Sequence, residues 1–137
     1  MVDVFGDPRF AIQYEQLNLD LGDPYGRVAT NLIDLVKIPP ESRVLDLASG
    51  TGISICRLVD IVPNVRVTGI DKSRYFLEVA LLKFGYTEPD ALFKRILEER
   101  PYPQILREYC EVKDLEAHLR EVRGKYKDHK GRVAFYE

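Results

Sequence analysis

Two acids and two glycines carry the chemistry this sequence offers. Asp46 interrupts the apolar run of RVLDLASGTGIS (residues 43–54) and is followed at once by small residues, Ala48, Ser49, Gly50, Thr51 and Gly52. Asp71 ends a second apolar run, VRVTGID (65–71). Gly50 and Gly52 remove side chains where a backbone must turn sharply and a ligand must come close. A helix that begins near Gly52 presents free N–H groups and partial positive charge, suited to a carboxylate or phosphate. A carboxylate at the position of Asp71 can accept two hydrogen bonds from the hydroxyls of a ribose. The pattern reads as a nucleoside site. The other reading of 46–52, an ordinary strand-to-helix turn, does not require an acid inside the strand.

Two commoner nucleotide motifs are excluded. A dinucleotide fingerprint needs a third glycine where this chain has Ile55, and a P-loop needs a G-K-[ST] that is absent.

The elements that must position these residues alternate in type. Residues 1–22 read as mixed and turn-rich, with Gly6-Asp7-Pro8 and Leu21-Gly22-Asp23 as breakers. Asp23-Pro24 opens a helix in which Val28, Leu32, Leu35 and Val36 share one face, and Pro39-Pro40 stops it. The run 43–48 is short, apolar and bounded by turn signals, which predicts a buried strand. Apolar residues at helical spacing from Gly52 to Val62 predict the next helix, and the β-branched 65–71 predicts a second strand. Ser73 caps a further helix in which Phe76, Ala80 and Phe84 stack, with Gly85 as its stop. Thr87–Asp90 resembles a capping box before ALFKRILEER, and a longer helix follows Pro103. Val112, Leu115, Leu119, Val122 and Tyr126 form its seam, which predicts one buried face rather than a coiled coil. RVAFYE (132–137) reads as the last strand. Strands alternating with helices predict an α/β fold: a Rossmann-like parallel sheet with crossover helices, whose ligands bind beyond the carboxyl ends of the strands.

Composition excludes several classes. A chain of 137 residues with a formal net charge of −2 fits one small domain and exerts no global pull toward nucleic acid or anionic lipid. Cys56 and Cys110 lie far apart, in no ligand-like spacing, and fit a reducing compartment. The N-terminus lacks the pattern of a secretory signal, and no stretch approaches the length of a membrane span. The expected location is cytoplasmic, with neither membrane nor nucleic acid as partner and no metal site.

VLDLASGTG followed by VTGIDKS resembles the first two motifs of class I S-adenosylmethionine (SAM)-dependent methyltransferases. The lead-in DPYGRVATNLIDLVKIPPESRVLDL is similar to the helix and proline turn that precede the sheet in many members. The resemblance covers roughly residues 23–85. It implies that Asp46, Ala48, Ser49, Gly50, Thr51 and Gly52 hold the methionyl part of SAM, or of its product S-adenosylhomocysteine (SAH). It implies that Asp71 holds the ribose hydroxyls, and that Lys72 and Ser73 flank the adenosine. The family's fourth-strand motif is not found, and the connection before the last strand is much longer than the usual one. The expected organisation is one SAM-binding domain over 1–137: cofactor motifs in 23–85, a helical insertion or cap in 86–130 and a last strand in 131–137. It looks like the cofactor half of a methyltransferase, incomplete, with its substrate half missing or supplied elsewhere.

Two functions stay open: a methyltransferase acting on an unidentified substrate, with unknown catalytic residues, or a non-catalytic SAM/SAH-binding module. Tyr14 and Tyr25 are weighed as residues that could fold over the cofactor, against ordinary surface or core tyrosines. His118 reads as a solvated residue, and the basic residues between Arg120 and Arg132 as a solvated helix end. The sequence offers no fourth strand to pair with 43–48, so the chain is expected to form a homodimer or to pair with a complementing chain.

Overall fold

Asp-Pro pairs start the first two helices of the computed structural model, which describes residues 4–92 and 112–137. In α1 (Pro8–Asp20) the Asp7 carboxylate accepts from the Arg9 amide, and Pro8 occupies a first-turn position where no amide needs a partner. In α2 (Pro24–Val36) Asp23 caps the Gly26 amide in the same way. The expectation of a turn-rich 1–22 is thereby corrected: Gly6-Asp7-Pro8 is the start signal of a helix. Its buried stripe is Ala11, Ile12, Glu15 and Asn18. Two of those four are polar, which hides the helical period.

Three strands, β1 (Arg43–Leu47), β2 (Arg66–Ile70) and β3 (Val133–Tyr136), form a parallel sheet in the order β1-β2-β3. Helix α3 (Ile53–Ile61) crosses from β1 to β2, and α4 (Arg74–Lys83) and α5 (Val112–Tyr126) lie between β2 and β3. Because parallel crossovers are right-handed and the strand order never reverses, these helices fall on one face of the sheet. The α/β, Rossmann-like arrangement expected from the sequence is therefore present, with a helix ahead of the last strand. The helix read over 91–100 lies beyond Leu92 outside the described residues, as does the part before Val112 of the helix read after Pro103, whose seam falls in α5.

Val67 and Val133, with Val44 and Phe135 against them, pack on Ile55, Leu58 and Val59 of α3, on Val62 just after it, and on Phe84 and Tyr126. A second cluster joins α1, α4 and α5 through Ala11, Ile12, Phe76, Val79, Leu115 and Leu119. Each fully buried Leu or Phe here contributes about 1.5–3 kcal/mol by leaving water. The expected α4 stack of Phe76, Ala80 and Phe84 is buried, and Gly85 ends the element at φ 79°. Leu115, Leu119 and Tyr126 of the expected α5 seam are buried too.

Two expectations about faces are overturned. The strand β1 is not buried on both sides: Leu45 is 57% and Leu47 68% exposed, while Val44 and Asp46 face the helices. Among the described strands it is an edge, pairing only with β2. In α2 the apolar stripe Val28, Leu32, Leu35 and Val36 points outward, with Leu35 78% exposed. The helix instead buries Gly26, Ala29 and Ile33. Periodicity identifies a face, not what covers it.

Candidate functional site

The chain leaves β1 through a loop in which alternate residues are left-handed: Ala48 at φ 57°, Gly50 at 57° and Gly52 at 82°. Glycine adopts that region freely, but alanine does so at a cost of about 1–3 kcal/mol, a strain found mostly at functional sites. Four hydrogen bonds fix the loop. The Ser49 amide donates to the Ile70 carbonyl (3.0 Å) and the Gly52 amide to the Ser49 carbonyl (3.1 Å). The Gly50 amide donates to Asp71 Oδ2 and the Ser73 amide to Asp71 Oδ1, both at 2.8 Å. Asp71 is only 9% exposed. It braces the loop against the start of α4, a role the sequence does not reveal, and each of its oxygens keeps a second lone pair.

The glycines differ in purpose. A Cβ on Gly50 would meet nothing closer than Phe76 Cδ2 at 3.6 Å, so its backbone conformation and not crowding demands glycine. On Gly52 it would lie 3.2 Å from Ala80 Cβ, and on Gly69 2.8 Å from both Ile55 Cδ1 and Ser49 Oγ. Gly69, opposite Asp46 in the register, lets the loop settle onto β2.

Three polar side-chain atoms at this loop are buried without a partner: Asp46 Oδ2, Ser49 Oγ and Thr51 Oγ1. Buried polar groups are normally satisfied, so three such atoms within six residues need an explanation. Burial first, and repulsion from Asp71 second, push the Asp46 pKa above the ordinary carboxylate value. Helix α3 opens just beyond, with Gly52 as its cap and no side chain on its first amides. An uncapped helix start, two hydroxyls and an unpaired carboxylate thus fall within a stretch of a few residues. That set suits a zwitterion, whose carboxylate meets the amides and hydroxyls and whose ammonium meets Asp46.

Of the remaining predicted residues, Lys72 is exposed, its ammonium 4.5 Å from the Phe5 ring centroid. Ser73 caps α4, accepting from the Phe76 amide at 3.3 Å, and its hydroxyl donates to the Phe5 carbonyl at 2.7 Å. Tyr14 stacks on Tyr25 (5.2 Å between centroids) and against Phe76 (5.1 Å). Burial, aided by Tyr25 and Glu15, pushes the Tyr14 hydroxyl up to about 12. With Phe5 and Phe10 these rings make an aromatic cluster beside the loop. Its only sequence signal is the four-residue spacing of Phe10 and Tyr14.

A separate cleft of about 330 Å³ lies among the helices, lined by Glu15, Asn18, Arg57, Lys83, His118 and Tyr126, among others. Its charges are matched: Lys83 to Glu15 at 2.7 Å, Arg57 to Asp23, and Lys125 to Asp60 at 3.3 Å. His118 is half-buried there, correcting its reading as a solvated residue, and burial lowers its pKa. Cys56 is buried and its thiol pushed up to about 12, so it is not a nucleophile. Most of the basic residues near the C-terminus have partners: Arg120 with Glu116 and Asp90, Arg123 with Glu88, and Lys130 over the Tyr86 ring. No group of metal ligands, and no helix long and apolar enough to cross a membrane, occurs among the described residues.

No family model and no curated protein matches the sequence. Among solved structures, the chain is similar to a SAM-dependent methyltransferase from Geobacter sulfurreducens in complex with S-adenosyl-L-homocysteine. The likeness has a TM-score of 0.44 and 23% identity, and covers 83% of this chain but 28% of that one.

Proposed function

We propose that the loop 46–52 binds SAM and SAH, and that the chain is the cofactor-binding half of a class I methyltransferase. The observation that carries this is the set of orphaned buried groups, Asp46 Oδ2, Ser49 Oγ and Thr51 Oγ1, at the loop that resembles the family's first motif. In this reading Asp46 takes the ammonium of the methionyl part. Ser49, Thr51 and the first amides of α3 take its carboxylate. Asp71 offers its remaining lone pairs to the ribose hydroxyls, with Lys72 and Ser73 beside the adenosine. When bound, the cofactor supplies an electrophilic sulfonium methyl group. The chain's own part is to bind and orient, an effect of proximity that requires no particular acid or base.

A non-catalytic SAM/SAH-binding module is the second reading. It rests on the ion pairs of Glu15 with Lys83 and of Asp23 with Arg57, which occupy the two carboxylates lining the neighbouring cleft among the described residues. Assembly belongs to the same proposal: the outer edge of β1, which has no strand partner among the described residues, pairs with a second polypeptide, most simply another copy, in the cytoplasm. Titrating SAH into isotopically labelled protein tests the site. Amide resonances of 48–53 and 71–73 move together if the reading holds, and it fails if they stay still. Turnover of labelled SAM separates enzyme from module, and light scattering reads the assembly.

A further inference from the structure

Tyr14 of α1 and Tyr25 of α2 stack with ring centroids 5.2 Å apart and planes inclined by 19°, although Tyr14 is only half-buried and Tyr25 is 48% exposed. A polar network fixes the more exposed ring. The Tyr25 amide donates to Asn18 Oδ1 at 3.2 Å, Asn18 Nδ2 donates to Asp23 Oδ1 at 2.8 Å, and Arg57 of α3 pairs with Asp23. Asn18 is buried, and Asp23 holds a left-handed φ of 59°, which a non-glycine residue keeps only where its surroundings impose it. The Tyr14 ring rests on Phe76, whose Cδ2 lies 3.6 Å from where Gly50 would carry a Cβ. Burial is the main reason the Tyr14 hydroxyl is pushed up to about 12, and the charge of Asp71 is among the lesser ones. This phenol is therefore neutral at ordinary pH and stands near both Gly50 and Asp71.

We infer that Tyr14 and Tyr25 are specificity residues that favour the sulfonium cation of SAM over the neutral sulfur of SAH. This rests on the cofactor reading above. There the methionyl part lies at 46–52 and the ribose at Asp71, and the sulfur, bonded to both parts, falls between them, beside the two tyrosines. An aromatic face attracts a cation within about 6 Å of its centroid, and the lone pairs of a neutral phenol oxygen attract it too. Methyl transfer breaks the bond from sulfur to the methyl carbon and leaves the electron pair on sulfur, so the thioether product carries no charge there. The tyrosines thus act on SAM and not on SAH, and they favour exchange of product for fresh cofactor. Because the rings are stacked and tied before any ligand arrives, binding need not order them. Stacking on adenine, the other use of an aromatic face, acts on SAM and SAH alike.

Calorimetric titration of SAM and of SAH into the full chain reads the ratio of their affinities. Asp46 and Asp71 favour the cation as well, so the change of that ratio on mutation, rather than its value in the wild type, reports on the tyrosines. In the double variant Tyr14→Phe with Tyr25→Leu, SAM should weaken by about three- to thirtyfold while SAH stays within about twofold. Tyr25→Phe keeps the aromatic face and should keep most of the wild-type ratio. The first substitution retains its ring and the second falls on an exposed side chain, so the fold survives, and the SAH affinity itself reports that it has. Equal weakening of SAM and SAH overturns the inference, since the rings would then serve adenine or the loop. A ratio in the double variant unchanged from the wild type also overturns it, and with SAH still bound it leaves the cofactor reading standing. A wild type that binds neither ligand overturns both.

Discussion

Replacing Asp46 by Asn should make the free protein more stable and the cofactor bind less tightly. Asp46 faces the helices, its Oδ2 is buried without a partner, and burial followed by the Asp71 charge raises its pKa above 3.8. Below pH 3.8 the group is neutral in both folded and unfolded chains and costs nothing. As pH rises from there through the raised folded pKa, the unfolded chain ionises first and stability is lost, fully so above the folded value. Asparagine keeps the shape and removes the charge. An unpaired buried polar group costs about 1–3 kcal/mol, and the part due to charge at this half-buried position is roughly 0.5–1 kcal/mol. For a chain of this size that is a Tm gain of roughly 2–4 °C at neutral pH, vanishing near pH 3.8. Binding moves the opposite way. Loss of a charge-assisted bond to the cofactor's ammonium costs about 1.5–3 kcal/mol, or roughly 10- to 150-fold in affinity for SAH. Thermal melts across acid and neutral pH, with calorimetric titration of SAH, read both effects. A lower Tm at neutral pH, or an unchanged affinity, would refute the reasoning.

Asp71→Ala leaves the amides of Gly50 and Ser73 without their acceptor, so Tm should fall by roughly 10 °C along with SAH affinity; a Tm that holds would remove Asp71 as the brace of the loop. Gly69→Ala drives a methyl group to 2.8 Å from Ile55 Cδ1 and Ser49 Oγ and should cost about 1–3 kcal/mol in denaturant unfolding, with weaker SAH binding because Ser49 must move. Lys83→Met strands the buried Glu15 carboxylate and should cost about 3–5 kcal/mol, whereas the pair Glu15→Met with Lys83→Met should recover most of it. Equal losses in single and double variants would contradict that account.

The loop and the two strands that frame it were legible because their signals are local. Glycines at 50 and 52, an acid at 46 and β-branched residues before Asp71 act over a few residues, and the structure places them together at one end of the sheet. Helix α1 was not legible, since its inward stripe mixes Ala11 and Ile12 with Glu15 and Asn18, and the Glu15 charge is matched only by Lys83 from a distant helix. Nor could periodicity say that Leu45, Leu47 and the α2 stripe face outward, because that depends on which elements lie beside them. The Asp71 brace was hidden for the same reason: its two donors come from different loops and meet only in the folded chain.

The central claim is that the orphaned hydroxyls of Ser49 and Thr51 wait for the cofactor, and calorimetry of SAH against wild type and the double variant Ser49→Ala with Thr51→Val tests it most directly. The account predicts saturable one-to-one binding in the wild type, and in the variant an affinity weakened about tenfold or more, at undiminished stability, because the removed groups have no protein partners. No binding in the wild type, or the same affinity in both proteins, would contradict it.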